Sequence, residues 1–133
     1  MEKIEHIGIA VKSLKDATAI YETLLGCASY KTEEVISEHV LTAFFKIGDS
    51  KIELLEASSR QSAIATFIEK RGEGIHHIAF AVDNILEEMA RLKAEGFTLL
   101  NEVPKIGADN KLVCFVHPKS ANGVLIELCQ EIK

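Results

Sequence analysis

The sequence predicts an α+β fold that consists of two copies of one βαβββ module. The evidence is an internal repeat, because residues 5–14 read EHIGIAVKSL and residues 76–85 read HHIAFAVDNI. When His6 is aligned with His77 the offset is 71 residues, and a helical stretch that stops at a glycine follows each copy. Two repeats are too few for a solenoid, which needs at least about 3. We therefore expect two modules packed together, over residues 4–57 and 75–130.

Composition places the chain among ordinary globular proteins. Of its 133 residues, 47% are hydrophobic and 26% are charged, and the net charge of −5 does not suggest a nucleic-acid partner. The three cysteines lack the spacing of a zinc ribbon, and their odd number fits a reducing compartment better than a disulfide scaffold. No signal peptide, transit peptide or long apolar segment is visible. We therefore expect a cytoplasmic protein that contacts neither nucleic acid nor membrane.

The first module is predicted to begin with a strand that has two different faces. Residues 4–11 alternate between bulky apolar residues on one face and small residues with His6 on the other. Ser13 is a suitable N-cap for the helix that follows, and Gly26 supplies a left-handed stop. Three more strands are predicted at residues 27–36, 39–47 and 51–57, before a short helix near residues 64–68.

The second module is predicted to repeat this plan. Its first strand carries His77, and its helix is capped by Asn84 and ends at Gly96. Residues 103–111 contain proline, glycine, asparagine and aspartate, which are typical of a loop. The remaining strands are predicted at residues 97–101, 112–116 and 124–130.

Four residues of the repeat are candidate metal ligands. His6 and His77 lie on the first strand of each module, whereas Glu53 and Glu127 interrupt the apolar last strand of each module. A buried carboxylate is costly unless it is paired, hydrogen-bonded or bound to metal. Two imidazoles and two carboxylates suit an octahedral divalent ion such as Co, Ni, Mn or Zn. Each residue taken alone is more often structural, and only the duplicated register favours a joint site.

The other histidines and the buried cysteines are interpreted as structural. His76 has the opposite strand parity to His77, and two further histidines stand at strand ends or turns, namely His39 and His117. The cysteines in apolar strands are expected to be small core residues, at Cys114 and Cys129. No nucleophile-elbow, P-loop or dinucleotide-binding motif is present, which argues against triad hydrolysis and nucleotide binding.

Four stretches resemble the vicinal oxygen chelate superfamily, also called the glyoxalase/bleomycin resistance superfamily, and within it the methylmalonyl-CoA epimerases. They read HIGIAV, KIELLE, GEGIHHIAFAVDNI and HPKSANGVLIEL, and the resemblance spans about residues 4–130. It implies a single glyoxalase-like domain over residues 1–133, with a cupped, barrel-like mixed sheet around a divalent metal, and a homodimer. The metal ligands that it implies are His6, Glu53, His77 and Glu127.

The resemblance implies an enzyme that epimerises methylmalonyl-CoA. In that reaction a base removes the C2 proton through a metal-stabilised enolate, and a proton returns to the other face of the carbon. Glu127 is the leading candidate for the base, and Glu53 or Glu38 is the candidate for its partner. Three loop lysines are either contacts for the CoA phosphates or ordinary solvated charges, namely Lys105, Lys111 and Lys119.

Two other functions stay open from the sequence. The same ligand set is found in lactoylglutathione lyase (glyoxalase I), which acts on the hemithioacetal of methylglyoxal and glutathione. A metal-free binding module of the same fold, such as an antibiotic-sequestering protein, would not need the four ligands. The chain also departs from the epimerase pattern, with Asp109 and Asn110 in place of a His-Gly pair. Thr42 stands where some members carry a catalytic carboxylate.

Overall fold

The secondary structure comprises eight β-strands and three α-helices, with short 3₁₀ turns between some of them. The computed structural model describes all residues 1–133. The strands are β1 (Lys3–Ala10), β2 (Lys31–Val35), β3 (Val40–Ile47), β4 (Ser50–Ala57), β5 (Gly74–Ala81), β6 (Lys105–Gly107), β7 (Lys111–Val116) and β8 (Ile126–Glu131). The helices are α1 (Leu14–Leu25), α2 (Ala63–Arg71) and α3 (Ile85–Ala94).

The strands form a mixed sheet in the order β2-β3-β4-β1-β5-β8-β7-β6, which confirms the predicted α+β class. The chain divides into two compact units. Unit I is Ile7–His76, and unit II consists of Met1–His6 together with His77–Lys133. None of the helices has both the length and the apolar character that crossing a membrane requires.

In unit I, helix α1 packs on the strands. The strand face that it covers is the bulky apolar face predicted from the alternation along residues 4–11. The Ser13 hydroxyl accepts a hydrogen bond from the backbone N–H of Asp16 at 3.2 Å, and Gly26 ends the helix in the left-handed region at φ 72°. Both predicted caps are therefore confirmed. The core under this helix consists of Val11, Ala17, Ala43, Phe45 and Leu54, all buried.

Strands β3 and β4 of unit I form an antiparallel hairpin that sets the position of Glu53. Phe44 lies opposite Glu53 and Thr42 lies opposite Leu55 in this pairing, so these four side chains share one face of the hairpin. Helix α2 covers a second small core, in which Ile64 and Phe67 contact residues of the strands.

Unit II contains the second set of strands and helix α3. Strands β5 and β8 are parallel, and Ala79 lies beside Glu127 in their register. The Asn84 side chain accepts a hydrogen bond from the backbone N–H of Glu87 at 3.1 Å, which confirms the predicted N-cap. Apolar residues of the helix pack against the sheet in one buried cluster, formed by Val82, Ile85, Met89, Leu92, Cys114, Val116 and Leu128.

The predicted strand at residues 97–101 is wrong as a continuous strand, because only Leu99 forms a bridge, to Val116. The side-chain oxygen of Asn101 accepts the backbone N–H of Phe115 at 3.0 Å, in the place where a strand would offer a carbonyl. A strand forms instead at Lys105–Gly107, within the segment predicted as a loop, and it pairs with β7. The second module therefore has three strands after its helix, as predicted, but the first of them lies further along the chain than predicted.

Candidate functional site

The candidate site of unit II is formed by His6, His77 and Glu127, which come from three neighbouring strands. The order β1-β5-β8 places their strands side by side. His6 Nε2 lies 3.0 Å from His77 Nε2 and 3.6 Å from Glu127 Oε2, and His77 Nε2 lies 3.3 Å from Glu127 Oε1. Each residue is at most 6% exposed, so the three polar groups are buried together.

The separations of these atoms fit the ligand shell of one divalent ion. Two ligand atoms about 2.1 Å from a metal are about 3.0 Å apart at a right angle and about 3.4 Å apart in a tetrahedron. The two histidine Nε2 atoms are 3.0 Å apart, and each lies near a different oxygen of Glu127, His6 at 3.6 Å from Oε2 and His77 at 3.3 Å from Oε1. Imidazole nitrogens and a carboxylate are also the donor types that Zn, Co, Ni and Mn accept. His6, His77 and Glu127 could therefore hold a divalent metal ion.

The surroundings of Glu127 make its carboxylate a stronger base. Burial raises the pKa of Glu127, because desolvation disfavours the charged form. Charge on His6, a hydrogen bond from Cys129 and the charge of Lys105 lower that pKa, whereas the charge of Glu5 raises it further. The Cys129 thiol lies 3.2 Å from Glu127 Oε2 and donates to it. A carboxylate whose pKa is raised by burial accepts a proton more readily than an exposed one.

Two residues that contact this cluster were not foreseen as parts of the site. Glu5 accepts a hydrogen bond from His6, with 2.8 Å between Oε1 and Nδ1, and only 6% of Glu5 is exposed. The sequence feature that could have indicated Glu5 is its position as an acidic residue directly before His6, on a strand whose following residues are apolar or small. Cys129 is buried in an apolar cluster as predicted, and its thiol also reaches Glu127.

Glu53, the fourth predicted ligand, belongs to unit I. It is 4% exposed and lies on β4, so the prediction that it occupies an apolar strand as a buried carboxylate is confirmed. Its function as a ligand or base stays a prediction. On the same face of the hairpin, the Thr42 hydroxyl is buried and has no hydrogen-bond partner.

The remaining histidines have structural contacts. The His76 ring meets the Phe67 ring edge-on at 5.0 Å, and burial lowers the pKa of His76 to about 4, which keeps it neutral. The Nδ1 atom of His117 accepts the backbone N–H of Lys119 at 3.0 Å and so shapes a turn. His39 adopts a left-handed conformation at φ 54° before β3.

Among the three loop lysines, Lys105 is the one that a chain of contacts connects to the cluster. Its Nζ atom is 5.9 Å from the centre of the Phe115 ring, and that ring packs edge-on against His77 at 5.9 Å. Its charge also lowers the pKa of Glu127. Lys105 is therefore a cation at the margin of the candidate site.

The sequence profile of the glyoxalase/bleomycin resistance protein/dioxygenase superfamily matches residues 5–115. The chain belongs to this superfamily. It is 42% identical to the uncharacterised protein YqjC of Bacillus subtilis, over 98% of this chain and 93% of that protein. It is 40% identical to the mitochondrial methylmalonyl-CoA epimerase of Homo sapiens, over 96% of this chain and 73% of that protein. The predicted resemblance to the epimerases is confirmed.

Solved structures agree with the sequence comparisons. A methylmalonyl-CoA epimerase in complex with methylmalonyl-CoA and ammonium superposes with a TM-score of 0.95 at 33% identity, over 98% of this chain and 95% of that one. The epimerase of Mycobacterium tuberculosis superposes with a TM-score of 0.93 at 32% identity, over 98% of this chain and 88% of that one. The predicted glyoxalase-like fold is therefore confirmed.

Proposed function

We propose that the protein is a metal-dependent methylmalonyl-CoA epimerase. The observation that carries the proposal is the convergence of His6, His77 and Glu127 within one buried cluster, in a chain so similar to epimerases. The epimerase solved with methylmalonyl-CoA supports an acyl-CoA substrate for this chain as well. A pure binding module would have no use for three enclosed polar side chains at ligand spacing.

The metal centre would be held by His6, His77 and Glu127, with Glu53 as the proposed fourth ligand. When bound, a divalent ion such as Co, Ni, Mn or Zn supplies a Lewis acid that favours negative charge on the thioester oxygen of the substrate. The protein has to orient the thioester beside these residues and exclude water from them. The burial of all three side chains of the unit II cluster provides that water-poor environment.

Glu127 is the proposed base. Cys129 fixes Oε2 by a hydrogen bond, while Oε1 lies 3.3 Å from His77, so both oxygens of the carboxylate are held in place. Inversion requires that a proton returns to the opposite face of C2, and Glu53 is the proposed donor. In that step Glu53 acts in its protonated form and not as a ligand. One proton is taken up by Glu127 and one is given up by Glu53, and exchange with water returns both carboxyls to their starting states, so the reaction consumes no acid or base. Proton transfer by positioned carboxylates contributes about 10²–10⁴-fold to such rates.

The test is exchange of the C2 proton of one methylmalonyl-CoA epimer in deuterated water, followed by ¹H NMR, with inversion followed by chiral chromatography. With Co²⁺ present we expect both exchange and inversion, and chelator should abolish them. Glu127→Gln should slow exchange by about 10²-fold or more. Glu131→Gln is the matched control, because Glu131 is exposed at the end of the same strand. Absence of exchange by the metal-loaded wild type would reject the proposal.

The lyase function is the alternative that the same ligand types allow. It is tested on the same metal-loaded preparation, with methylglyoxal and glutathione as substrates and S-lactoylglutathione as the product to be measured. Formation of that product without exchange of methylmalonyl-CoA would replace the epimerase proposal by the lyase.

A further inference from the structure

We propose that Glu5 is a positioning residue that holds His6 in the tautomer and orientation needed to bind metal through Nε2. The inference rests on the metal centre of the proposed function and names a residue that has no part in the predicted ligand set. It follows from a hydrogen bond of 2.8 Å between Glu5 Oε1 and His6 Nδ1, in which the carboxylate accepts. Side-chain exposure is 5% for His6 and 7% for Glu5, so water does not compete for this bond.

The hydrogen bond determines which nitrogen of His6 is free. A neutral imidazole carries its proton on one nitrogen and a lone pair on the other. With the proton on Nδ1 facing Glu5, the lone pair is on Nε2. That atom is the one that lies 3.0 Å from His77 and 3.6 Å from Glu127. A carboxylate behind a ligating histidine also makes the imidazole a stronger donor, as is common for metal sites.

The burial of Glu5 and its contact with His6 argue against a role as an ordinary strand residue. Successive side chains of a strand point to opposite faces, so strand geometry alone does not bring the side chains of these neighbours together. Burial of a carboxylate is costly, and an apolar residue would fill the same space without that cost. The hydrogen bond to His6 offsets part of that cost.

The duplicated module shows that this carboxylate is not a general feature of the repeat. The position that corresponds to Glu5 is occupied by His76, which precedes His77. The His76 ring packs edge-on against Phe67 at 5.0 Å. It therefore supplies no negative charge beside His77. Of the two ligand histidines, His6 is the one that is preceded by a carboxylate.

A direct role of Glu5 as a ligand is the competing explanation. Glu5, His6 and Cys129 also offer ligand atoms within 4.8 Å of one another. The two explanations differ in their spectra, since a metal bound by this second group would carry a thiolate. A Co²⁺–thiolate centre absorbs by charge transfer in the near ultraviolet, whereas a centre of imidazole and carboxylate does not.

The test measures Co²⁺ affinity by competition with a chelator, together with the absorption spectrum, in the absence of substrate. Glu5→Ala removes the hydrogen bond and should weaken Co²⁺ binding by about 10–100-fold. Glu5→Gln keeps an acceptor oxygen but loses the charge, so its affinity should lie between those of the alanine variant and the wild type. Glu5→Asp restores the charge and should recover part of the affinity.

The matched control is Glu56→Gln in unit I. Glu56 is a partly buried carboxylate that, like Glu5, accepts a hydrogen bond, in its case from the backbone N–H of Leu14 at 2.6 Å. Its replacement should leave Co²⁺ affinity and the spectrum unchanged. Thermal melting of each metal-free variant separates loss of folding from loss of affinity. If Glu5→Ala does not fold, the glutamine variant decides.

The inference is overturned if Glu5→Ala and Glu5→Gln bind Co²⁺ as tightly as the wild type. It is also overturned by a charge-transfer band that Cys129→Ser abolishes, or by a wild type that binds none of Co²⁺, Ni²⁺, Mn²⁺ and Zn²⁺. The outcome of the epimerase assay is independent of these measurements of Co²⁺ binding. Weakened binding by the Glu5 variants, in a protein that does not exchange methylmalonyl-CoA, would support the positioning role and reject the proposed substrate.

Discussion

Replacement of Thr42 by valine is expected to stabilise the protein. Thr42 is 1% exposed, and its hydroxyl has no hydrogen-bond partner in the structure. A buried polar group without a partner costs about 1–3 kcal/mol. Valine has nearly the shape of threonine and is also β-branched, so strand β3 keeps its packing while the cost is removed.

The size of the effect follows from that cost and from the length of the chain. We expect the free energy of unfolding to rise by about 1–2 kcal/mol. A chain of 133 residues has an unfolding entropy of about 0.28 kcal/mol/K, so the Tm should rise by about 4–7 °C. Equilibrium unfolding in urea and thermal melting of the metal-free protein measure the two quantities. Thr66→Val, at an exposed position of α2, is the control and should change stability by less than about 0.5 kcal/mol.

This reasoning would be refuted if Thr42→Val lowered the free energy of unfolding while the slope of that free energy against urea concentration stayed the same. That result would show that the hydroxyl is satisfied in solution, for example by a buried water molecule. A second readout separates stability from function. If the hydroxyl also contacts substrate, the valine variant will be more stable and will have a higher KM for methylmalonyl-CoA.

Three further predictions concern the cluster and the core of unit II. In the metal-free protein, burial raises the pKa of Glu127 above its ordinary value of 4.5, so the stability of the wild type should fall as pH rises from 4.5 through the raised pKa. Glu127→Gln should lack that fall, and parallel curves of Tm against pH would contradict the assignment. Lys105→Ala should raise the KM for methylmalonyl-CoA about tenfold by removing a cation beside the site, whereas Lys93→Ala on the exposed side of α3 should not. Leu128→Ala should cost about 2–5 kcal/mol in urea unfolding, because Leu128 is fully buried under α3, and a much smaller loss would mean that the core collapses into the gap.

The repeat made most of the fold and three residues of the site predictable. Alternation along the first strand of each module, together with the caps at Ser13 and Asn84, predicted strand, turn and helix correctly. His6 and His77 were recognisable because duplication places the same residue type at the same strand position twice. Glu127 was recognisable because it interrupts an apolar strand.

Contacts that depend on side-chain conformation were not predictable in the same way. Strand parity places Glu5 and His6 on opposite faces, so the pattern gives no sign of the hydrogen bond between their side chains. A cysteine in an apolar strand looks like any small core residue, so its thiol contact with Glu127 gives no signal in the pattern. The strand prediction for residues 97–101 was wrong for a related reason, because the side chain of Asn101 accepts a hydrogen bond that a strand would make with its backbone.

The direct measurement of the central claim is the position of a bound ion. Crystals of the Co²⁺-loaded protein, with diffraction data collected on both sides of the cobalt absorption edge, locate the ion by its anomalous signal. We predict one strong peak about 2.0–2.2 Å from His6 Nε2, His77 Nε2 and a Glu127 carboxylate oxygen. A peak bound by other residues, or no peak at these three side chains in fully loaded protein, would contradict the claim.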